Sequence, residues 1–310
     1  MISIVIPLYN KSQSIANTIR CIQQQTYQDF EVVVIEGWST DGSTELIHEL
    51  AAQDTRIRVL MQQNRKGVTP ARNEGVQAAT YEHIAFIDAD DYWEPTYLEN
   101  LVKLMHDFPT AGIWGFSYGI MTGTDKTLNK SIIPAQFRGV LENPWVYGCP
   151  YWTGATGVSK SAVEHIGGFD NQIIYGEDLD LWFRLMLNFP SVYEDKVLAY
   201  YRVDAENRAM NNVIPLEKHL PFFLEKYATY RAENRDFRRY FDLQCLYRLY
   251  PYVFDKRYRK TANQLIKKID FSLQKKSMKW RFQVPRLYRL YQQMRGRTLP
   301  YFTDYKGGRL

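Results

Sequence analysis

The sequence predicts an α/β fold, a mostly parallel sheet flanked by helices, with a helical appendage behind it. Three observations carry this. Short β-branched runs alternate with segments of helical periodicity through the first hundred or so residues, the pattern of a parallel sheet covered on both faces. Hydrophobic residues make up 45% of the 310 and charged residues 24%, ordinary for a globular chain with a sizeable core. Charge then changes sign along the chain. From Lys218 onward there are 23 Lys+Arg against 7 Asp+Glu, and before it 16 against 27. That region also holds 20 of the 46 aromatic residues. A boundary near residue 210 divides an α/β domain, 1–210, from a basic, aromatic-rich helical region, 211–310.

The elements follow in order. Ile2–Pro7 is an apolar run of strand length. Ser12 is positioned to cap a helix in which Ile15, Ile19 and Ile22 share a face. Glu31–Ile35 is β-branched and reads as a strand, Asp41–Ala52 as a helix and Ile57–Met61 as a strand. Thr69-Pro70 reads as an N-cap followed by proline in the first helical position. His83–Asp88 is the next strand, and a helix follows from about Pro95. Further on, Trp152–Val158 reads as a strand, Ser159–Ile166 as a short helix, Leu179–Leu187 as a helix and Val192–Tyr200 as a strand.

Other classes are set aside by composition. The longest apolar stretch, Ala111–Met121, carries Ser117 and three glycines and falls short of the ~18 residues of a membrane span. The N-terminus lacks a basic leader and a small-residue cleavage site, which predicts no secretory signal. Cys21, Cys149 and Cys245 match no metal or redox spacing and read as free thiols of a reducing cytosol.

In such sheets ligands bind beyond the carboxyl ends of the strands. There the strand Ile84–Ile87 runs into Asp88-Ala89-Asp90-Asp91. Three carboxylates in four positions repel one another unless a cation offsets them, and oxygen donors suit Mg²⁺ or Mn²⁺. A solvated acidic turn is the competing reading. Asn64…Gly67…Ala71-Arg72-Asn73-Glu74-Gly75 joins a strand to a helix start, a natural anion site. Arg72 lies in a first turn where the helix dipole would prefer an anion, which points to a ligand or partner. The third feature is Gly168-Phe169-Asp170…Glu177-Asp178…Asp180…Arg184. Its acids are either helix caps or include a general base.

Together with Ser3–Asn10 and Ser39-Thr40-Asp41-Gly42-Ser43, these segments resemble the family 2 glycosyltransferases of the GT-A (Rossmann-like) fold over roughly residues 1–210. The resemblance implies an inverting transfer of a sugar from a nucleotide-diphosphate sugar to a saccharide or lipid-linked acceptor in cell-surface polysaccharide assembly. It implies a divalent metal, Mn²⁺ or Mg²⁺, as cofactor. Pro7, Tyr9, Glu36, Arg72 and Asp88 would bind the nucleotide sugar, and Asp88, Asp90 and Asp91 would hold the metal, with Asp204 a further candidate. Asp178 would be the catalytic base, and Glu177 would contact the acceptor or leaving group.

Two positions depart from the pattern. Glu36-Gly37 replaces a pair of acidic residues, so Gly37 offers no side chain to a base edge; Glu36 or Trp38 would have to serve instead. Asp204 replaces a histidine. Gly37 also leaves open a catalytically weak relative that binds glycan or a partner. A nucleotidyltransferase is disfavoured, because Pro7–Ser12 is not a glycine-rich phosphate loop. In 218–310, cations interleaved with aromatics suggest contact with an anionic membrane. The competing reading is a plain helical appendage, and no nucleic-acid motif is present. The expected location is cytoplasmic, peripheral to the inner membrane face.

Overall fold

A computed structural model describes residues 1–63, 66–129, 133–173, 175–207, 215–216 and 220–294. Contacts among Cα atoms divide the chain into two compact units, Met1–Asn207 and Arg208–Leu310.

The first unit opens with β1 (Ile2–Leu8), α1 (Ile15–Gln23), β2 (Phe30–Glu36), α2 (Ser43–Gln53), β3 (Ile57–Met61), α3 (Val68–Ala78) and β4 (His83–Phe86). It continues with β5 (Tyr92–Trp93), α4 (Tyr97–Asp107), β6 (Ile113–Thr122), β7 (Asp125–Leu128), β8 (Arg138–Val140) and α5 (Pro144–Tyr147). Last come β9 (Thr156–Ser159), α6 (Lys160–His165), α7 (Glu177–Asn188) and β10 (Ser191–Arg202). The strands form one sheet in the order β3-β2-β1-β4-β9-β6-β10-β5, with β7 beside β6 and β8 beside β10. The run β3-β2-β1-β4 is parallel throughout. Beyond it the sheet is mixed: β9 lies antiparallel between β4 and β6, while β6 and β10 are parallel.

Alternation along the strands sends side chains to opposite faces. Ile2, Ile4, Ile6 and Leu8 of β1 join Phe30, Val32 and Val34 of β2 in one core, which Ile15, Ile19 and Ile22 of α1 and Leu98, Leu101 and Leu104 of α4 cover. Val33 and Ile35 face the other way, against Ala71 of α3. Gly75 of α3 is there because the helix lies on β1: a Cβ at that position would stand 2.2 Å from a Val5 methyl. Phe86 of β4 meets Phe169 edge-on at 5.5 Å and Trp182 of α7 at 6.4 Å, so α3 and α7 share this second face.

Some helix starts differ from the sequence reading. α1 begins after Ser14, and the Ser12 N–H instead meets Asp41 Oδ2 at 3.0 Å. α3 begins after Gly67, whose φ of +136° suits glycine, so Pro70 is the third helical residue rather than the first.

The second unit comprises α8 (Leu220–Lys226), α9 (Ala228–Glu233), α10 (Arg235–Phe254), α11 (Arg259–Ile266), α12 (Lys276–Gln283) and α13 (Pro285–Met294). Tyr227 packs among Phe223, Phe237 and Phe241. The fully buried Asp242 accepts from Arg231 Nε at 2.8 Å and from the Asp270 N–H at 2.9 Å. Many aromatics of this region therefore form its core.

Candidate active site

Loops leave the carboxyl ends of β1, β2, β3 and β4 side by side, because these strands are parallel and in register. The first two are laced together. Asn10 N–H donates to Ser39 Oγ at 2.9 Å, Thr40 N–H to Asn10 Oδ1 at 2.8 Å and Lys11 N–H to Ser43 Oγ at 2.8 Å. Asn10 adopts φ +51°, a left-handed conformation that asparagine tolerates. The Ser39–Ser43 motif is thus a clamp that fixes the loop after β1.

Glu36, at the end of β2, is fully buried. Its Oε2 accepts the Trp38 N–H at 2.8 Å and its Oε1 the Ser39 N–H at 2.7 Å. The carboxylate, expected to contact the nucleotide, holds its own loop in this way. Gly37 is enclosed as well, since a Cβ there would stand 3.2 Å from Gln62 Oε1 and 3.3 Å from the Leu8 carbonyl. The groups that remain outward are aromatic. Tyr9 is 48% exposed and Trp38 36%. Lys66 Nζ stands 5.8 Å from the first ring and 5.4 Å from the second. Pro7 is partly buried in β1. Asn64, part of the motif that leads into α3, lies outside the described residues.

Each residue of the motif's second half has a job. Arg72 is 4% exposed, and its guanidinium bridges two segments far apart in the chain. Nη2 donates to Asp88 Oδ1 at 2.8 Å and Nη1 to Glu177 Oε1 at 3.0 Å. Asn73 imitates a backbone strand: its Nδ2 donates to the Phe169 carbonyl at 2.8 Å and its Oδ1 accepts the Phe169 N–H at 2.8 Å. Gly168, at φ +71°, admits this clamp, because a Cβ would fall 2.7 Å from Asn73 Oδ1. Phe169 then lies beneath Arg72, with the guanidinium 5.8 Å from its ring centre. Glu74 accepts from the Gln63 N–H at 2.8 Å.

α7 starts at Gly176 in the left-handed region, with Glu177, Asp178 and Asp180 in its first turn. Asp180 is fully buried and paired with Arg184 at 2.6 Å, a structural tie. Asp178 Oδ2 stands 3.5 Å from Thr153 Oγ1, and its Oδ1 accepts the Leu179 N–H at 2.7 Å. Tyr118, Trp152 and Tyr201 form a chain of rings nearby, 4.7 Å and 5.8 Å between centroids. Burial pushes the Tyr118 hydroxyl up, and the neighbouring Tyr201 and Asp178 add to it.

The electrostatics are unbalanced. Arg72 is drawn toward its charged form by Asp88, Glu177 and Asp178 against the cost of burial. Burial and then Asp178 raise Glu177 to about 7, although Arg72 opposes them. The two shifts pull in different senses on one ion pair. One guanidinium cannot neutralise three carboxylates, so Glu177 is left under-compensated even while it is hydrogen bonded.

Lys11 supplies a second cation. Its Nζ meets Asp90 Oδ2 at 2.6 Å and also donates to the Glu206 and Asn207 carbonyls. The Glu206 carboxylate accepts the Gln13 N–H at 3.1 Å and the Ser14 hydroxyl, so residues 206–207 close against the start of α1. Burial raises Asp90, against the pull of Lys11. Sequence reasoning missed Lys11, Thr153 and Glu206. The one available signal was Lys11, a cation directly after Asn10 at the end of a strand.

The expected metal ligands separate. Asp88 is one-third exposed, and Asp90 is buried against Lys11. Asp91 is turned inward: it is 2% exposed, Oδ1 accepts the Arg202 N–H at 3.2 Å, and Oδ2 is buried without a partner. Asp204 lies at the surface, where Oδ2 accepts the Gly123 N–H at 2.8 Å and Oδ1 is 3.5 Å from Arg202 Nε. The four aspartates are therefore not one ligand set, and among the described residues no group of three or more His, Cys, Asp or Glu could hold a metal. Asp88 and Asp90 fit the lesser demand of Mg²⁺ or Mn²⁺, which is met by one or two carboxylates plus phosphate oxygens. They have hard oxygen donors and a local excess of negative charge.

Comparison with known proteins agrees with this frame. The model of glycosyl transferase family 2 matches residues 3–167, and the chain belongs to that family. The glycosyltransferase GlyG of Streptococcus pneumoniae is 35% identical over 107 residues, 34% of this chain and 36% of that protein. The amylovoran biosynthesis glycosyltransferase AmsB of Erwinia amylovora is 27% identical over 208 residues, 65% of this chain and 69% of that protein. With GlyG and two further relatives, a glycosyltransferase of Nostoc and EpsH of Bacillus subtilis, the match spans only 36–40% of the relative's length. The structure of S. aureus TarS 1-349 in complex with UDP-GlcNAc shares the fold, with a TM-score of 0.59 at 16% identity over 86% of this chain and 70% of that one.

Proposed function

We propose that this chain transfers a sugar with inversion from a nucleotide-diphosphate sugar to a saccharide or lipid-linked acceptor, in polysaccharide assembly. The observation that carries the reading is Arg72: a buried guanidinium joins Asp88, after β4, to Glu177, beside Asp178 at the start of α7. A donor-binding loop and a candidate base are thereby held in one cleft. The similarity to AmsB, an amylovoran biosynthesis glycosyltransferase, and to TarS, whose structure holds UDP-GlcNAc, supports the substrate class.

In this reading Tyr9 and Trp38 flank the nucleobase, with Lys66 between them and Pro7 beneath. Aromatic faces accept any base, which matches a position 37 without a side chain. Asp88 and Asp90 would hold the divalent metal through their carboxylate oxygens. When bound, that ion neutralises charge on the departing diphosphate. Arg72 orients Asp88 and adds positive charge to the phosphate side of the cleft. Asp178 takes the proton of the acceptor hydroxyl, which then attacks the anomeric carbon opposite the leaving group, so a single displacement inverts the centre. Glu177 stands beside it as the acceptor or leaving-group contact, and Trp152, Tyr118 and Tyr201 offer faces on which a sugar ring can stack. Glu36 fixes the β2 loop rather than touching the donor. Asp91 anchors the turn from inside, and Asp204 stays outside the ligand set.

A panel of nucleotide sugars, with donor hydrolysis as the readout and Mn²⁺ or Mg²⁺ present, tests this. Metal-dependent hydrolysis of at least one donor is expected. Binding of no nucleoside diphosphate by calorimetry would instead favour a glycan- or partner-binding relative.

A further inference from the structure

Most large apolar side chains of the second unit are used in its core, but α13 is an exception. Leu287 is 60% exposed, Leu290 55%, Tyr291 40% and Met294 79%. Their spacing of three, four and seven residues puts them on one face of a helix. The neighbouring Trp280 of α12 is 38% exposed and meets Tyr288 and Tyr291 edge-on, each at 5.2 Å. The pair of helices is anchored from behind: Met278 is buried, and Arg281 lies 3.9 Å over the Tyr250 ring of α10. The outer face is therefore held in place while its apolar stripe faces solvent.

Charge identifies what would cover it. Between Asp270 and Asp304 the chain has eight Lys or Arg and no Asp or Glu. Lys275, Lys276 and Arg286 are exposed. The exposed Arg286 precedes Leu287 of the stripe, about 100° around the helix, so a cation flanks the apolar face. A second copy of this chain would bring the same uncompensated cations together. A nucleic acid would gain nothing from leucines and a methionine. An anionic bilayer satisfies both parts, with headgroups meeting the cations and the acyl boundary receiving the stripe, while tryptophan and tyrosine suit the interface between them.

We propose that α12 and α13 are a peripheral docking face for anionic lipid, with Leu287, Leu290 and Met294 inserting and the cations at 275, 276 and 286 engaging headgroups. This goes beyond the proposed sugar transfer, and its assay reads no transfer, so either idea can fail alone. The test is co-sedimentation of the full chain with phosphatidylcholine vesicles containing roughly one third phosphatidylglycerol, against phosphatidylcholine alone. Binding to the anionic vesicles only is expected. Leu287→Ser/Leu290→Ser/Met294→Ser should weaken it at least about tenfold with an unchanged melting curve. A fluorophore on a Leu290→Cys variant should report an apolar environment on anionic vesicles, a readout that does not depend on the triple variant folding. Absence of binding, equal binding to neutral vesicles, or full binding by the folded triple variant overturns the proposal. So does self-association of the parent, removed by the triple substitution, in the absence of vesicle binding.

Discussion

At the scale of single residues, Arg72 organises the cleft. Arg72→Met would leave Glu177, whose side chain is 12% exposed, without its cation, and would free the more exposed Asp88. Breaking a buried pair in this way costs about 3–5 kcal/mol, and a lowered melting temperature would show it. Arg72→Lys keeps the charge but loses the planar fork that reaches both carboxylates, so donor binding should weaken even if the protein folds. Glu177 carries a pH signature. In the folded chain it holds its proton to about 7, whereas its ordinary value is 4.5. Between those values the folded state binds more protons, so this group's contribution to stability is complete below about 4.5 and is lost as the pH rises through about 7. Glu177→Gln removes the effect. The melting temperature of the variant should therefore improve relative to the parent between about pH 5 and pH 8; a constant difference would contradict the assignment. Burial pushes Cys21 and Cys245 up to about 12 and raises Cys149 as well. Thiol reagents should label the native protein slowly and all three cysteines quickly after denaturation.

At the scale of elements, the sequence and the structure part company where side chains answer to tertiary partners. β1 and β2 were legible as nearly unbroken apolar runs because both their faces are buried, and Ile57–Met61 has the same bounds in both readings. Helix starts were less so. Thr69-Pro70 has the chemistry of a start, yet Gly67 alone accepts the backbone turn that α3 needs. The carboxylates were found by residue type, but their direction was not. Nothing local tells Asp90, on Lys11, from Asp91, which faces the core; that depends on Arg202, more than a hundred residues away. Glu36 is a similar case, its carboxylate closed on two backbone N–H groups of its own loop. The packing of α3 on β1 gives an element-scale prediction. Gly75→Ala places a methyl against Val5 and should cost about 1–3 kcal/mol, with much of the loss restored by Val5→Ala in the same chain.

At the scale of the whole molecule, the change of charge near residue 210 corresponds to a change of construction. An α/β unit carries every residue placed at the cleft, and a helical unit carries a basic, partly aromatic surface. Among the described residues no helix is long and apolar enough to cross a membrane. A fragment ending at Asn207 is expected to retain nucleoside-diphosphate binding by calorimetry, because the proposed donor contacts all precede that point. The central claim is that Asp178 deprotonates the acceptor in a cleft organised by Arg72, and transfer by Asp178→Asn measures it most directly. The account predicts a folded variant that binds the donor as the parent does and transfers at least about 10²-fold more slowly. Undiminished transfer by the folded variant would contradict it.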